Sequence, residues 1–265
     1  MNTHVAVPPT VGRVPGRNPR PARPLVTFAA VALPVGWVLL SVPLVVDVPL
    51  EPFVLATLLL GLVLPVVLLT RREGSSVRSL FRDVIRLPRP LWLLVPAALL
   101  IPVAVGAAGA LAGGPALTGS FLARLAVANV LSSLLIVNLW EELVWAGFVQ
   151  RRVTGRRGLL TGGVVTALLF TGIHLPLSLY GADGVGDVAF NIAAMIVSGV
   201  GLRLLIGAFD VWGHGSILAL GLLHATFNAS AELLDPGFAW IRYVVTLALG
   251  LAAYAIVVRA KAVAR

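Results

Sequence analysis

Residues 51–70 read EPFVLATLLLGLVLPVVLLT, a stretch in which Glu51 is the one ionisable side chain. An α-helix needs about 20 consecutive apolar residues to cross the hydrocarbon core of a bilayer. The chain contains seven further stretches of this character, at residues 25–46, 91–112, 119–150, 158–180, 187–209, 212–233 and 238–258. The sequence therefore predicts an all-α fold, a polytopic bundle of about eight transmembrane helices.

Composition excludes most soluble classes of protein. Hydrophobic residues make up 58% of the 265 positions and charged residues 12%, about half of the ~25% charged residues of a typical soluble domain. The net charge of +9 is divided among short clusters between apolar runs, which is unlike the continuous basic face of a nucleic-acid-binding protein. Cysteine is absent, so disulfides, thiol nucleophiles and cysteine–metal sites are excluded.

The positions of Lys and Arg predict the orientation of the helices. Of the 20 Lys and Arg residues, 17 lie in segments 1–24, 71–90, 151–157 and 259–265. The intervening loops near 47–51, 181–187 and 234–237 contain five Asp or Glu residues and no Lys or Arg. Because Lys and Arg are enriched in cytoplasmic loops, we expect both termini in the cytoplasm and a multi-pass protein of the cell membrane.

Two segments differ from the apolar stretches. Residues 1–24 carry four Arg among Pro and Gly, a composition typical of a disordered basic arm. Residues 75–90 alternate apolar and Arg side chains at helical spacing, which predicts an amphipathic helix on the membrane surface. The remaining chain, 25–265, is interpreted as a single transmembrane domain.

Ionisable side chains within the apolar segments are costly in lipid and therefore mark candidate functional positions. Glu141 and Glu142 are neighbours in one segment, and His174 lies in the next. His224 and Asn228 are four residues apart and so share one helix face. The two glutamates point about 100° apart, so one can face a reaction centre while the other takes a different partner. In straight helices Glu141 would lie nearer the inner face and His174 nearer the outer face, about 10 Å apart along the membrane normal.

These residue types are suited to peptide hydrolysis without a covalent nucleophile. A carboxylate beside an imidazole can deprotonate a water, and a second imidazole with an amide can donate hydrogen bonds to an oxyanion. No G-x-S-x-G motif is present for a serine nucleophile. Glu, His and His could also bind Zn²⁺, but the H-E-x-x-H spacing and the paired E-x-x-H motifs of di-iron bundles are missing. No cofactor is required, and a divalent metal is not excluded.

The sequences EELVWAG at 141–147, FTGIH at 170–174 and HATFN at 224–228 resemble the three motifs of the CPBP intramembrane proteases. That family includes the type II CAAX prenyl endopeptidases and bacterial proteins linked to bacteriocin processing or immunity, and its members are often labelled metalloproteases. The resemblance covers about residues 119–233, the expected catalytic core. It implies that Glu141 is the general base, that His174 positions the water, that His224 and Asn228 form the oxyanion hole, and that Glu142 has a supporting role.

One position departs from the family pattern. The arginine of the first motif falls on Ala146, which can neither donate a hydrogen bond nor neutralise Glu142. Arg151 or Arg203 could replace it by reaching in from elsewhere. The favoured hypothesis is an intramembrane endopeptidase acting on a peptide or protein at the bilayer, in some cases lipid-modified. The alternatives are a catalytically weak or inactive member with a binding or immunity role, and a transporter using Glu141, His174 and His224 as a proton relay.

Overall fold

The computed structural model describes residues 23–113 and 118–263, which are almost entirely helical and include no strand. The helices are α1 (Arg23–Val45), α2 (Glu51–Arg72), α3 (Val77–Arg82), α4 (Leu91–Leu111), α5 (119–157), α6 (159–173), α7 (Val185–Trp212), α8 (Ile217–Ala229) and α9 (Trp240–Val263). The predicted all-α bundle is confirmed. The predicted basic arm lies outside the described residues apart from Arg23 and Pro24, which begin α1.

Helices α5 and α6 form one helical stretch, Gly119–Ile173, that reverses direction at Gly158. Gly158 has φ 83° and ψ 169°, a region of backbone conformation that is essentially restricted to glycine. After the reversal the chain packs back on itself, and a Cβ added to Gly162 would lie 1.9 Å from the hydroxyl oxygen of Thr154. Gly158 thus makes two antiparallel helices from one run of helix-forming sequence.

Six helical stretches in the described chain are long and apolar enough to cross a membrane, and the reversing Gly119–Ile173 stretch is one of them. A shorter apolar helix spans Ile217–Leu233. Each of the eight apolar segments predicted from the sequence therefore contains a helix, and segments 158–180 and 212–233 also include the non-α residues 174–180 and 213–216. Large apolar side chains on the outside of the bundle, for example Leu59, Leu99 and Ile136, are more than half exposed. Such a surface suits lipid contact and would be unfavourable in water.

Helices α7 and α9 approach each other closely through glycine. A Cβ on Gly250 would lie 2.1 Å from the carbonyl oxygen of Gly201, and a Cβ on Gly201 would lie 2.5 Å from the Cα of Leu247. Small residues at such contacts let two backbones touch, which is a common way for transmembrane helices to associate. This contact holds α7 closely against α9.

Ion pairs join several segments at one end of the bundle, which we call the basic end (residues 71–90, 151–157 and 210–216). Arg151 donates to Asp210 at 2.6 Å and to Asp83 at 3.1 Å, and Arg152 donates to Glu73 at 2.7 Å. The amphipathic helix expected over 75–90 ends early, at Arg82. The backbone carbonyl of Asp83, just beyond this end, accepts a hydrogen bond from the amide of Ile217. Its partner is thus the first residue of α8 and not a residue of a continued helix.

Candidate active site

The structure brings Glu141, His174 and His224 together inside the bundle. One carboxylate oxygen of Glu141, Oε1, lies 3.9 Å from Nε2 of His174, and the other, Oε2, lies 3.8 Å from Nδ1 of His224. These side chains come from α5, from the end of α6 and from α8. All three are largely buried. Residues separated by up to 83 positions in the chain thus form one polar cluster.

The prediction that Glu141 and His174 lie about 10 Å apart along the membrane normal is wrong. Glu141 precedes Gly158 by 17 residues and His174 follows it by 16, so both lie roughly 25 Å from the turn at 1.5 Å per residue. Two positions equally distant from the turn of an antiparallel helix pair lie side by side. Straight-helix reasoning failed because it measured depth from the ends of the apolar segments rather than from the turn.

Glu142 points away from Glu141 and is completely buried beside Arg203 of α7. Arg203 donates from Nη1 to Oε2 at 2.8 Å and from Nη2 to Oε1 at 2.6 Å, a two-pronged ion pair. The same Oε1 lies 2.7 Å from Nδ1 of His224. Charge-assisted bonds of this kind are the strongest hydrogen bonds in proteins. The Arg203–Glu142 pair therefore holds the ring of His224 in one orientation.

Arg203 lies within α7 and not at its end. Its side chain has no exposed surface and lies nine residues before Trp212, the end of α7. Arg151 does not reach Glu142, because it is engaged with Asp210 and Asp83 at the basic end. Of the two arginines considered as replacements for the missing motif arginine at Ala146, the structure places Arg203 against Glu142.

Glu141 has a further partner that sequence analysis missed. Nδ2 of Asn138 donates to Oε2 of Glu141 at 3.3 Å, and the hydroxyl of Ser133 donates to Oδ1 of Asn138. Asn138 has no exposed surface. A signal was present, since Asn138 precedes Glu141 by three residues in an apolar segment, and residues three apart are neighbours on a helix.

The aromatic ring of Phe170 packs against both imidazoles, those of His174 and His224. Its ring centroid lies 4.4 Å from that of His174, 5.7 Å from that of His224 and 5.6 Å from that of Trp145. The backbone carbonyl of Phe170 also lies 2.7 Å from Nδ1 of His174. Because a carbonyl can only accept, Nδ1 of His174 carries the proton, and Nε2 is left to face Glu141.

Glu141, His174, His224 and Asn228 line one cavity of about 510 Å³. Asn228 is exposed, so the cavity reaches the surface of the protein. Glu142 does not line it and lies behind His224. The polar side chains of Tyr180, Asn191, Arg242 and Tyr243 also border the cavity. The arrangement can hold water against the carboxylate of Glu141 and the imidazole of His174, with His224 and Asn228 lining the same cavity.

The donor atoms at this site do not fit a metal ion. No group of three or more His, Asp or Glu side chains in residues 23–113 and 118–263 is arranged to hold one. The nitrogen of His224 nearest Glu141 is also the one bonded to Glu142, so that nitrogen is not free to act as a ligand.

Comparison with known families agrees with the motifs. Residues 123–230 match the family model described as Type II CAAX prenyl endopeptidase Rce1-like. The chain is therefore similar to this family over residues 123–230. All five predicted site residues lie inside the matched segment, and so do Asn138 and Arg203. The resemblance to the CPBP and CAAX proteases is thus confirmed. No curated protein matches the chain.

Proposed function

We propose that this Rce1-like protein is an intramembrane endopeptidase, located in the cell membrane, that hydrolyses a peptide bond with a water activated by Glu141 and His174. The observation that carries the proposal is the convergence of both side chains with His224 on one cavity inside a bundle of apolar helices. The Rce1-like match of residues 123–230 supports a protease at the level of the family.

The water is proposed to lie between Glu141 and His174. Their separation of 3.9 Å is too long for a direct hydrogen bond, and such a gap is often bridged by a water. Both groups are acceptors there, since Nδ1 of His174 holds the proton. A water that donates to both presents its oxygen lone pair to the substrate. As the carbon–oxygen bond forms, Glu141 takes the proton and later returns it to the leaving amine.

His224 and Asn228 are proposed to stabilise the oxyanion of the tetrahedral intermediate. Both line the same cavity as Glu141 and His174, and hydrogen-bond donors fixed where negative charge develops lower the barrier most effectively in a dry site. The amide of Asn228 can donate directly. Because Nδ1 of His224 is engaged by Glu142, donation by this ring to the substrate uses Nε2 and requires the doubly protonated imidazole.

The decisive experiment measures hydrolysis of membrane-associated peptides, with and without lipid modification, by the full chain in vesicles. Glu141→Gln and His174→Ala should each lower the rate by about 10²–10⁴-fold, the usual contribution of a general base. Glu232→Gln and His214→Ala are matched controls, because these residues do not line the cavity. Unchanged hydrolysis by both Glu141→Gln and His174→Ala would disprove the mechanism.

The metal-free mechanism has its own test. We expect that EDTA or 1,10-phenanthroline leaves the hydrolysis rate of the vesicle preparation unchanged, because the donor set around Glu141 does not suit a metal ion. Loss of activity in chelator, followed by recovery on addition of Zn²⁺, would contradict this expectation. A known zinc protease treated in parallel shows that the chelator is effective.

A binding or immunity protein without catalytic activity is the second candidate, and Ala146 is the observation that favours it. The ion pair between Arg203 and Glu142 weakens this argument, since Glu142 has an arginine partner despite Ala146. The same vesicle assay separates the two functions. An inactive wild-type chain that nevertheless retains a peptide on the vesicles would support the binding role.

A further inference from the structure

The two ends of the bundle differ in charge. Opposite the basic end lies what we call the acidic end, formed by residues 46–50, 174–184 and 230–239, which join α1 to α2, α6 to α7, and α8 to α9. These three segments contain Asp or Glu in each case and no Lys or Arg. Arg124 and Arg242 lie close by, each within the first two turns of a helix.

Hydrogen bonds join the α6–α7 segment to the end of α1 and tie the α6–α7 and α8–α9 segments to their own flanking helices. The hydroxyl of Tyr180 donates to the carbonyl of Leu40 at 3.2 Å, near the end of α1. Nδ2 of Asn191 donates to the carbonyl of Ser178 at 3.0 Å. A guanidinium nitrogen of Arg242 donates to the carbonyl of Asn228 at 3.4 Å, linking the start of α9 to the end of α8.

The cavity that contains Glu141 lies toward this acidic end. His174 begins the α6–α7 connection, and Leu177, Ser178 and Tyr180, which follow in it, also line the cavity. Arg242 and Tyr243, also cavity residues, are the third and fourth residues of α9. Along α5, Glu141 is separated from Arg151 by ten residues, about 15 Å of helix. None of the residues of the basic end lines the cavity.

We infer that the proposed active site opens on the non-cytoplasmic side of the membrane, and that its substrates are peptides presented from that side. Lys and Arg are retained on the cytoplasmic side of membrane proteins, and Asp and Glu have little influence. Of the 20 Lys and Arg residues, 17 lie in the four segments assigned to the cytoplasm, so the basic end faces the cytoplasm and the cavity faces away from it. The substrate class, but not the orientation, rests on the proposed protease function.

The absence of cysteine allows this orientation to be measured directly with single-cysteine variants of the full chain. Gly155 at the basic end and Gly186 at the start of α7 form a matched pair, because a Cβ at either position meets no atom within 4 Å. Met195 lines the cavity and reports on its water access. The probe is a membrane-impermeant maleimide applied to intact cells and then to permeabilised cells.

We expect Gly186→Cys and Met195→Cys to be labelled in intact cells, and Gly155→Cys only after permeabilisation. Labelling of Gly155→Cys in intact cells would overturn the orientation. If Met195→Cys is labelled only after permeabilisation, or not at all, while Gly186→Cys reacts in intact cells, the cavity does not open at the acidic end. The readout needs no catalysis, so its result is independent of the protease proposal.

Sealed vesicles test the substrate class. Peptides added outside right-side-out vesicles should be hydrolysed, and the same peptides added outside inside-out vesicles should not. Hydrolysis confined to inside-out vesicles would overturn the inference. If neither preparation hydrolyses peptide but the labelling pattern is as expected, the protease function fails and the orientation of the cavity stands.

Discussion

Glu141 and Glu142 are adjacent in the chain, but their carboxylates are in different electrostatic situations. Glu142 has no exposed surface and faces the guanidinium of Arg203 and the ring of His224. Glu141 is 8% exposed, borders the cavity and has the neutral amide of Asn138 as its direct hydrogen-bond partner. Burial of a charge is tolerated only with good partners. Glu142 therefore has the surroundings of a structural anion, and Glu141 has those of a group available to a substrate.

Arg203→Ala tests the importance of the buried ion pair. Removing one partner of such a pair leaves an uncompensated buried charge and costs about 3–5 kcal/mol. We expect a lower midpoint of thermal unfolding in detergent and loss of peptide hydrolysis. Arg124→Ala is the control, because Arg124 is exposed on α5 and its loss should leave both measurements near wild type.

A relocated arginine tests whether Arg203 replaces the missing motif residue. Ala146 follows Glu142 by four residues, which places both on one helix face. Ala146 is 2% exposed, so Ala146→Arg alone should overpack the bundle and lower activity. In the Arg203→Ala background the vacated space can accept the new side chain. We expect Ala146→Arg/Arg203→Ala to recover part of the stability and hydrolysis lost in Arg203→Ala. A double variant no better than Arg203→Ala would refute the replacement.

At the scale of the helices, the turn at Gly158 decides which residues of α5 and α6 meet. Substituting Ala forces a side chain into a backbone region that costs about 1–3 kcal/mol for a non-glycine residue. No atom lies within 4 Å of the added Cβ, so strain is the whole effect. We expect Gly158→Ala to lower the unfolding free energy by that amount in a detergent denaturation assay.

Gly155→Ala is the matched control for this prediction, because Gly155 also has open space around it but lies in α5 before the turn. Alanine is favoured over glycine within a helix by about 1 kcal/mol. Gly155→Ala should therefore be neutral or slightly stabilising. Equal effects of the two substitutions would mean that the left-handed conformation at Gly158 contributes nothing.

The glycine contact between α7 and α9 is expected to position Arg203. A Cβ on Gly201 meets the backbone of Leu247 at 2.5 Å, and backbone cannot rotate away as a side chain can. Gly201→Ala should push the two helices apart and lower the free energy of unfolding by about 1–3 kcal/mol through overpacking. It should also reduce hydrolysis, because Arg203 lies only two residues further along α7 and would be displaced. Gly186→Ala in the same helix has open space and should leave stability and rate unchanged.

For the whole molecule, the charge distribution predicts that both termini lie in the cytoplasm. Green fluorescent protein joined after Arg265 should fluoresce, and alkaline phosphatase joined there should be inactive, because each folds on one side of the membrane. The same reporters inserted after Gly184, in the acidic end, should give the reverse result. A phosphatase active at Arg265 would refute the orientation.

The sequence by itself determined the fold class, because the need to satisfy backbone hydrogen bonds in lipid leaves helices as the only solution for long apolar runs. It also marked Glu141, His174 and the His224–Asn228 pair as candidate site residues, because ionisable or amide side chains in apolar segments are few. These conclusions depend on local composition and spacing, which the chain displays directly.

The tertiary structure decided the relative depth of the residues and the partner of Glu142. The turn at Gly158 placed Glu141 beside His174, and the position of α7 placed Arg203 against Glu142. Neither could be derived from periodicity, since hydrophobic spacing defines the face of a helix but not its shift along a neighbour. That shift depends on a single glycine conformation and on backbone contact between Gly201 and Gly250, which are properties of packed helices.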